Sequence, residues 1–244
     1  MTTETPPTLA PFTEDLNRVL CVVAHPDDME YGGSAAVAEW TARGVEVAYL
    51  LLTAGEAGIR DQEPAQVAAL RADEQRRACE LVGVSDLTIL DLPDGLLQPD
   101  LATRAAIARR IRQFRPDAVV CTTWELEVGW GLNHVDHRAA GIATVDAIRD
   151  ADNPWLFRSQ ITEEGLEAWA TRWLLVNGST PTHAIELSEE SVQRGIASLA
   201  AHEVYLAALP DHPAPHDLVT GITTDGGAAA GLDRALPVRV VPMG

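Results

Sequence analysis

Apolar runs alternate with segments of helical periodicity along most of this chain. The apolar runs lack the every-second polar residue of a half-exposed strand, and they fall at residues 18–24, 45–52, 87–90, 118–122, 173–176 and 184–187. Helical spacing and stop signals predict helices over residues 33–43, 64–81, 101–114, 135–149 and 191–208. Buried strands separated by helices predict an α/β fold, with a Rossmann-like, mostly parallel sheet covered by helices on both faces.

The two ends of the chain depart from this alternation. Residues 1–15 are rich in Thr and Pro, which predicts a mobile N-terminal lead-in. The segment after about residue 210 contains GGAAAG at 226–231, which predicts a loop-rich tail or a short edge element. Because no linker and no internal repeat interrupts residues 16–244, we expect them to form one domain.

The charge and the cysteine content of the chain limit which binding partners and which cellular compartment we expect. The chain has 36 acidic and 18 basic residues, a formal net charge of -18, so we expect neither nucleic acid nor an anionic membrane surface as a partner. No apolar stretch is long enough to span a bilayer, and the N-terminus lacks the features of a signal peptide. Its three cysteines, without CxxC spacing, are typical of a reducing compartment. We therefore expect a cytoplasmic protein.

Histidine and carboxylate side chains follow the ends of four predicted strands. In an open parallel sheet, ligands bind outside the carboxyl ends of the strands, so we expect these four loops to meet at one edge. In strand order the residues are His25, Asp27 and Asp28 in AHPDD at 24–28, then Glu56, then Asp94, then His134, Asp136 and His137 in NHVDH at 133–137.

The spacing of these residues indicates a metal-dependent hydrolase. A hydrolytic zinc site takes three protein ligands and leaves a position for water. His25 and Asp28 lie three residues apart across a turn stiffened by proline, and His137 would complete a set of two histidines and one carboxylate. His134 shares a helix face with His137, so one histidine can bind the metal while the other faces the substrate. Asp27, beside the metal, would take a proton from water.

Each of these residues also has a purely structural interpretation. Two adjacent aspartates can cap the helix that follows, and Asn133 with Asp136 resembles a capping box. Asp94 precedes a glycine, which is a common turn pair, and Glu56 fits a solvated loop. Arg71 is compatible with a solvated position on the exposed face of a helix. These interpretations explain single residues, but they do not explain why both His/Asp clusters follow strand ends.

The motifs resemble those of the LmbE-like, or PIG-L, N-deacetylases. AHPDD, followed by Glu30 and two glycines at 32–33, is similar to the first motif of that family. TAGEAG at 53–58 resembles the second motif, Arg71 and Glu74 ahead of LVGV resemble the third, and HVDHRA at 134–139 resembles the fourth. The likeness covers roughly residues 17–210. The family includes deacetylases of N-acetylglucosaminyl-phosphatidylinositol and of mycothiol and bacillithiol precursors.

The resemblance implies an LmbE-like fold and a role for each site residue. Zinc would be held by His25, Asp28 and His137, with Asp27 as the general base. His134, oriented by Asp136, would stabilise the oxyanion or protonate the leaving amine. Glu56 and Arg71 would contact the sugar or its aglycone. Asp94, which follows a predicted strand at the same edge, is the third expected substrate-binding residue. The chain departs from the family pattern at Val135, where proline is common, and at His202-Glu203-Val204, where the family has a histidine followed by Ser-Gln.

The sequence thus predicts a zinc-dependent N-deacetylase or amidase acting on a small-molecule N-acyl sugar or glycoconjugate. Fe2+ is an alternative metal, and a homo-oligomer is compatible with the fold. A non-haem Fe(II) oxygenase uses the same two-histidine, one-carboxylate set, although Asp27 has no clear purpose in such an enzyme. A non-catalytic sugar-binding protein is the third alternative.

Overall fold

A central eight-stranded sheet organises the computed structural model, which describes residues 9–244. The strands are β1 (Ala10–Pro11), β2 (Arg18–Val23), β3 (Glu46–Leu51), β4 (Asp86–Ile89), β5 (Ala118–Thr122), β6 (Glu127–Val128), β7 (Gly131–Leu132), β8 (Trp173–Asn177), β9 (His183–Glu186) and β10 (Ala235–Pro242). The helices are α1 (Gly33–Ala42), α2 (Pro64–Leu81), α3 (Leu101–Phe114), α4 (Val135–Asp152), α5 (Arg158–Thr162), α6 (Glu189–Ala200), α7 (Glu203–Ala207) and α8 (Pro215–Ala230).

The sheet is mostly parallel, as the sequence predicts. Its order is β1-β9-β10-β8-β5-β2-β3-β4, while β6 and β7 form a separate hairpin. The five strands from β8 to β4 run parallel to their neighbours. Strand β10 runs antiparallel to both β8 and β9. The carboxyl ends of five consecutive strands therefore open onto one edge of the sheet.

Helices cover both faces of the sheet, which explains why its strands lack polar alternation. Successive side chains of β2 point to opposite faces and enter two different cores. Val19, Cys21 and Val23 pack with α1, and Leu20 and Val22 pack with α3 and α4. All five side chains are at most 1% exposed. Within the described residues, no helix combines the length and apolar character needed to cross a bilayer.

The predicted loop-rich tail is wrong for residues 215–242, which form α8 and β10. Strand β10 lies inside the sheet, where it pairs with β8 and β9. Glycines let the helix contact the segment that leads into this strand, because a Cβ on Gly227 would lie 2.6 Å from the carbonyl oxygen of Leu232. Gly231 ends the helix in the left-handed conformation (φ 70°). The small residues thus serve close packing of a helix.

Two further boundaries differ from the prediction. The helix predicted over 191–208 is divided into α6 and α7 at Ala201 and His202. The division allows Glu74 to accept a hydrogen bond from the backbone N–H of Val204, at the start of α7 (2.7 Å). Residues 1–8 of the predicted lead-in lie outside the described residues. From residue 9 onward the lead-in follows the sheet edge, where β1 pairs with β9.

Candidate active site

The loops after β2, β3, β4 and β5 meet at the carboxyl edge of the sheet, around a cavity of about 790 Å3. Glu56 and Asp136 are not among the described residues that line it. The other seven predicted site residues do line it: His25, Asp27, Asp28, Arg71, Asp94, His134 and His137. A parallel sheet therefore gathers side chains that are more than a hundred residues apart in sequence.

Asp28 lies between the two histidines predicted as metal ligands. One carboxylate oxygen, Oδ1, is 3.0 Å from His137 Nε2 and 3.6 Å from His25 Nδ1. The other, Oδ2, accepts hydrogen bonds from the backbone N–H groups of Ala24 and His25, both at 2.9 Å. Burial alone would raise the pKa of Asp28, but His137 and His25 hold that pKa well below its usual range. The carboxylate is therefore ionised and faces both imidazoles.

The donors in this cluster fit a divalent metal ion. One nitrogen from each of His25, His134 and His137 lies within 4.8 Å of the other two. Imidazole nitrogens with a carboxylate oxygen form the ligand set of hydrolytic zinc sites and of non-haem iron sites. The chemistry of the donors therefore accommodates either metal, and His134 lies close enough to be a further ligand.

The second nitrogen of His25 is held by two carboxylates. His25 Nε2 lies 2.9 Å from Asp94 Oδ1 and 3.1 Å from Asp136 Oδ2. Because ionised carboxylates only accept hydrogen bonds, Nε2 carries a proton, and in the neutral ring Nδ1 keeps its lone pair toward Asp28. Asp136 is fully buried and also accepts from the N–H groups of Gly95 and Leu97. Such partners fix the tautomer and orientation of metal-binding histidines.

Asp136 contacts His134 through its backbone N–H and not through its carboxylate. Its carboxylate bonds to His25, and its backbone N–H donates to His134 Nδ1 at 3.3 Å. His134 is the N-cap residue of α4, where a side-chain acceptor satisfies a free N–H of the first turn. Nδ1 of His134 is thus an acceptor, so Nε2 carries the proton in the neutral ring. Burial lowers the pKa of His134, which favours this neutral form.

Asp27 is held in a strained backbone conformation with its carboxylate in the cavity wall. Its φ is 88°, in the left-handed region that costs a non-glycine residue about 1–3 kcal/mol. The backbone N–H of Asp27 donates to Gln75 Oε1 at 2.9 Å, which stabilises this turn. Arg71 donates to Oδ1 (3.1 Å) and the Tyr31 hydroxyl donates to Oδ2 (3.2 Å). Burial raises the pKa of Asp27 to about 6, against the opposing effect of Arg71.

Arg71 reaches the cavity from the middle of α2, but its donors are mostly bound to the protein. It is 2% exposed, and it donates to the carbonyl oxygens of Gly55 (3.0 Å) and Pro26 (2.6 Å) as well as to Asp27. Its guanidinium carbon lies 3.7 Å from the centre of the Tyr205 ring. These contacts make Arg71 a support for Asp27, and its contact with substrate stays a prediction.

Glu56 and Asp94 bind each other's loops. Glu56 Oε1 accepts from the backbone N–H of Asp94 at 2.9 Å, and Asp94 Oδ2 accepts from the backbone N–H of Ala57 at 2.8 Å. Glu56 therefore holds the loop after β3 to the loop after β4, outside the lining of the cavity. Asp94 lines the cavity and contacts His25, so its position is compatible with the predicted contact with substrate.

Four aromatic residues of the cavity have no role in the sequence-based prediction: Tyr31, Trp130, Tyr205 and His212. Tyr31 OH contacts His212 Nε2 at 3.1 Å in addition to Asp27. Trp130 is 69% exposed, and it lies on the hairpin formed by β6 and β7. Only Tyr31 lies inside a recognisable motif. Trp130 lies in the segment 124–132 that leads to the fourth motif, which favours a place near the pocket, whereas Tyr205 and His212 come from segments whose sequence gives no sign that they reach this edge.

Comparison with known proteins identifies the family of the chain. A family model described as GlcNAc-PI de-N-acetylase (PIG-L) matches residues 20–148, more than half of the 244 residues. Diacetylchitobiose deacetylase of Thermococcus kodakarensis is 35% identical over 154 residues, which are 62% of this chain and 56% of that protein. The 1D-myo-inositol 2-acetamido-2-deoxy-alpha-D-glucopyranoside deacetylase of Kineococcus radiotolerans is 32% identical over 164 residues, 54% of this chain and 44% of that protein.

The matched segments thus span about half the length of these curated relatives. A solved structure, N,N'-diacetylchitobiose deacetylase from Pyrococcus horikoshii, aligns with a TM-score of 0.82 over 93% of this chain and 85% of that chain. At 21% identity this likeness establishes the fold alone. It matches the mostly parallel sheet and helix layers described above.

Proposed function

The chain belongs to the PIG-L family of metal-dependent deacetylases, and we propose that it hydrolyses the amide of an N-acetyl or other N-acyl amino sugar or sugar conjugate. The observation that carries this proposal is the placement of Asp27 against a cluster of two histidines and a carboxylate in one cavity. A hydrolytic metal site needs both a ligand set and an adjacent proton acceptor, and these residues supply both.

We propose that His25, Asp28 and His137 hold zinc. When bound, a zinc ion polarises a carbonyl oxygen and lowers the pKa of water to about 7. The Asp94 and Asp136 carboxylates would keep the His25 ring in the orientation that presents Nδ1 to the site. Asn133 would orient His137 in the same way, through the 3.1 Å contact between its Oδ1 and His137 Nδ1.

Asp27 is the proposed general base. A carboxyl group with a pKa of about 6 is ionised at neutral pH, yet it is basic enough to accept a proton from the attacking water. Arg71 and Tyr31 each donate to one oxygen of this carboxylate, so its position is fixed before the substrate arrives. The protonated Asp27 would then return the proton to the leaving nitrogen as the C–N bond breaks.

His134 is the proposed oxyanion donor. Its Nδ1 accepts from a backbone N–H, so its Nε2–H group is free to donate to the oxygen that becomes negative during hydrolysis. Burial keeps the ring neutral, which supports hydrogen-bond donation over transfer of a full proton. Protonation of the amine is therefore assigned to Asp27.

The sugar would bind on the side of the loops after β3 and β4. Asp94 lines the cavity there, with one carboxylate oxygen on His25 and the other on the backbone N–H of Ala57, and the remaining lone pairs of these oxygens can accept from sugar hydroxyl groups. Neighbouring backbone at Ala57, Gly58 and Gly95 also lines this side. The mix of polar groups and small residues suits a hydroxyl-rich ring.

The decisive experiment measures acetate release from a panel of N-acetyl sugars, with zinc-loaded and chelator-stripped protein compared side by side. We expect release that depends on metal for at least one sugar and returns when zinc is added back. Activity that survives complete stripping would overturn the metal-dependent mechanism. Oxygen consumption by the iron-loaded protein, without acetate release, would instead favour the oxygenase alternative.

A further inference from the structure

The cavity extends well beyond the His/Asp cluster, toward the opposite side from the proposed sugar-binding loops. The cluster follows β2, near the middle of the sheet, and the polar loops follow β3 and β4 on one side. On the other side the cavity is bounded by the ends of β5 and β8, by the start of β10 and by α8. Because Arg239 of β10 pairs with Val176 of β8, Leu236 lies past the carboxyl end of β8, at the same edge as the cluster.

This second part of the cavity, which we call the apolar lobe, is lined mainly by hydrophobic side chains. Its polar side chains, from the ends of β5 and β8, are Thr122, Thr123, Asn177 and Ser179. The titratable side chain next to the lobe is His212, which directly precedes Pro213. The hydrophobic residues that define the lobe are Trp130, Pro213, Leu218, Ile222, Leu236 and Pro237.

The lobe is continuous with the reaction centre. Ile222 and Leu236 pack against the backbone of Gly32, where an added Cβ would lie 3.1 Å from Ile222 Cγ2 and 3.2 Å from Leu236 Cδ1. Gly32 directly follows Tyr31, whose hydroxyl donates to Asp27. The apolar wall therefore packs against the residue that follows Tyr31, a direct hydrogen-bond donor to the proposed general base.

The position of the lobe distinguishes the two ends of an N-acyl sugar. In such a substrate the carbonyl carbon lies between the nitrogen, which carries the sugar, and the carbon chain of the acyl group. When the carbonyl is at the cluster and the sugar is on the β3 and β4 side, the acyl chain must point toward β8, β10 and α8. Apolar walls exposed to water are unfavourable, and an apolar chain that covers them is stabilised by its burial.

We infer that the apolar lobe binds the acyl chain of the substrate, and that this protein removes medium-length apolar N-acyl groups in preference to acetyl. This inference rests on the proposed function, because it takes the sugar side and the reaction centre from it. Water adds to the carbonyl carbon, the C–N bond breaks, and the products are a fatty carboxylate and the free amino sugar. The cavity volume of about 790 Å3 falls in the range of sites that enclose ligands much larger than an acetyl group.

The test compares N-acetyl-, N-butanoyl-, N-hexanoyl- and N-octanoylglucosamine with the zinc-loaded protein, by measuring the glucosamine released. We expect kcat/KM to rise about fourfold for each methylene until the lobe is filled, the fold-change that corresponds to burying one CH2 group. Hexyl N-acetylglucosaminide carries its alkyl chain on the sugar and not on the acyl group, so its kcat/KM should be little higher than that of the methyl glycoside. A kcat/KM that falls steadily from acetyl onward, or that responds only to the glycoside chain, would overturn the inference.

Two substitutions at neighbouring positions distinguish the effect of a charge inside the lobe from the general effect of an added charge. Ile222→Asp places a carboxylate in the lobe, so the ratio of octanoyl to acetyl turnover should fall at least about tenfold. Gly221→Asp adds the same charge one residue earlier on α8, where an added Cβ meets no atom within 4 Å, and should leave the ratio unchanged. Equal effects of the two substitutions would contradict the assignment.

A binding measurement on the unchanged protein covers the case in which Ile222→Asp fails to fold. Octanoate should inhibit the zinc-loaded enzyme at a concentration at least about tenfold lower than acetate does, because only octanoate reaches into the lobe. Equal inhibition by the two carboxylates would overturn the inference but leave the proposed hydrolysis intact. Absence of metal-dependent turnover of every N-acyl sugar would instead defeat the proposed function itself.

Discussion

The guanidinium of Arg71 and the carboxylate of Asp27 form an ion pair that is buried on both sides. Nη2 of Arg71 lies 3.1 Å from Oδ1 of Asp27, and the two side chains are 2% and 6% exposed. Breaking one partner of a buried pair leaves an uncompensated charge, which is strongly unfavourable. The pair therefore fixes the proposed general base in the cavity wall, although Asp27 and Arg71 belong to different elements.

Replacing Asp27 should separate catalysis from metal binding. Asp27→Asn keeps the size of the side chain and its ability to accept from Tyr31, but it removes the proton acceptor. We expect kcat to fall about 10²- to 10⁴-fold while the zinc content stays at the wild-type level. Metal analysis and acetate release on the same preparation check this, with the exposed Asp225→Asn as the control. Near-native turnover with zinc bound would remove Asp27 from the mechanism.

Gly55 offers a second test of the Arg71 contact. Its φ is 64°, and an added Cβ would lie 2.6 Å from Arg71 Cζ. Gly55→Ala should therefore displace Arg71 from Asp27 and lower kcat/KM at least about tenfold. A misplacement of about 1 Å at a reacting group is enough for such a loss.

The matched control is Gly44→Ala. Gly44 has a similar φ of 85°, but a Cβ there meets no atom within 4 Å. Both variants carry the strain of a left-handed alanine, about 1–2 kcal/mol in the free energy of unfolding. Only Gly55→Ala should lose activity beyond that shared destabilisation. Equal activity losses in the two variants, measured alongside denaturant unfolding, would show that strain alone is responsible.

The sequence predicts the parallel half of the sheet because burial on both faces leaves a clear trace. A strand such as β2 has no exposed side to carry polar residues, so its apolar run and the polar loop after it mark both the strand and the edge of the sheet where the candidate site lies. The proximity of His25 and His137 follows from that parallel topology. It needs no knowledge of how the helices pack.

The rest of the site depends on packing that has no local signature. Arg71 reaches Asp27 because α2 lies beside the loop that contains Gly55, and sequence spacing does not encode that register. Strand β10 carries Pro237 and Arg239, which interrupt its apolar pattern, and the small residues of α8 resemble a loop until the helix is seen against the strand. Tertiary contact overrides local propensity at both places.

Removing a proposed ligand should abolish the stabilisation that metal gives to the fold. A ligand that binds only the folded state raises the free energy of unfolding by about 2.7 kcal/mol when its concentration is 100 times its Kd. For a chain of this size that corresponds to a Tm increase of about 5–10 °C. Zinc should therefore raise the Tm of the wild-type protein and not that of His137→Ala. The exposed His216→Ala variant serves as the control and should respond like the wild type. An unchanged zinc response in His137→Ala would exclude His137 as a ligand.

His202 should make the fold less stable in acid. The side chain is fully buried, neither ring nitrogen has a hydrogen-bond partner among the described residues, and burial lowers its pKa to about 3. In the unfolded chain a histidine has a pKa of about 6.5. Below pH 6.5 the unfolded state therefore binds a proton that the folded state does not accept until about pH 3, so stability is lost as the pH falls through that window.

The effect is isolated by comparing the wild type with His202→Leu. Between pH 7.5 and pH 5 the histidine should contribute a loss of about 2 kcal/mol in the free energy of unfolding, and the leucine variant should lack that contribution. At pH 7.5 we expect the variant to be at least as stable, because leucine fills a similar volume without an unpartnered polar atom. Urea unfolding at both pH values measures the difference. If wild type and variant lose the same free energy on acidification, His202 is not the group that the folded state keeps neutral.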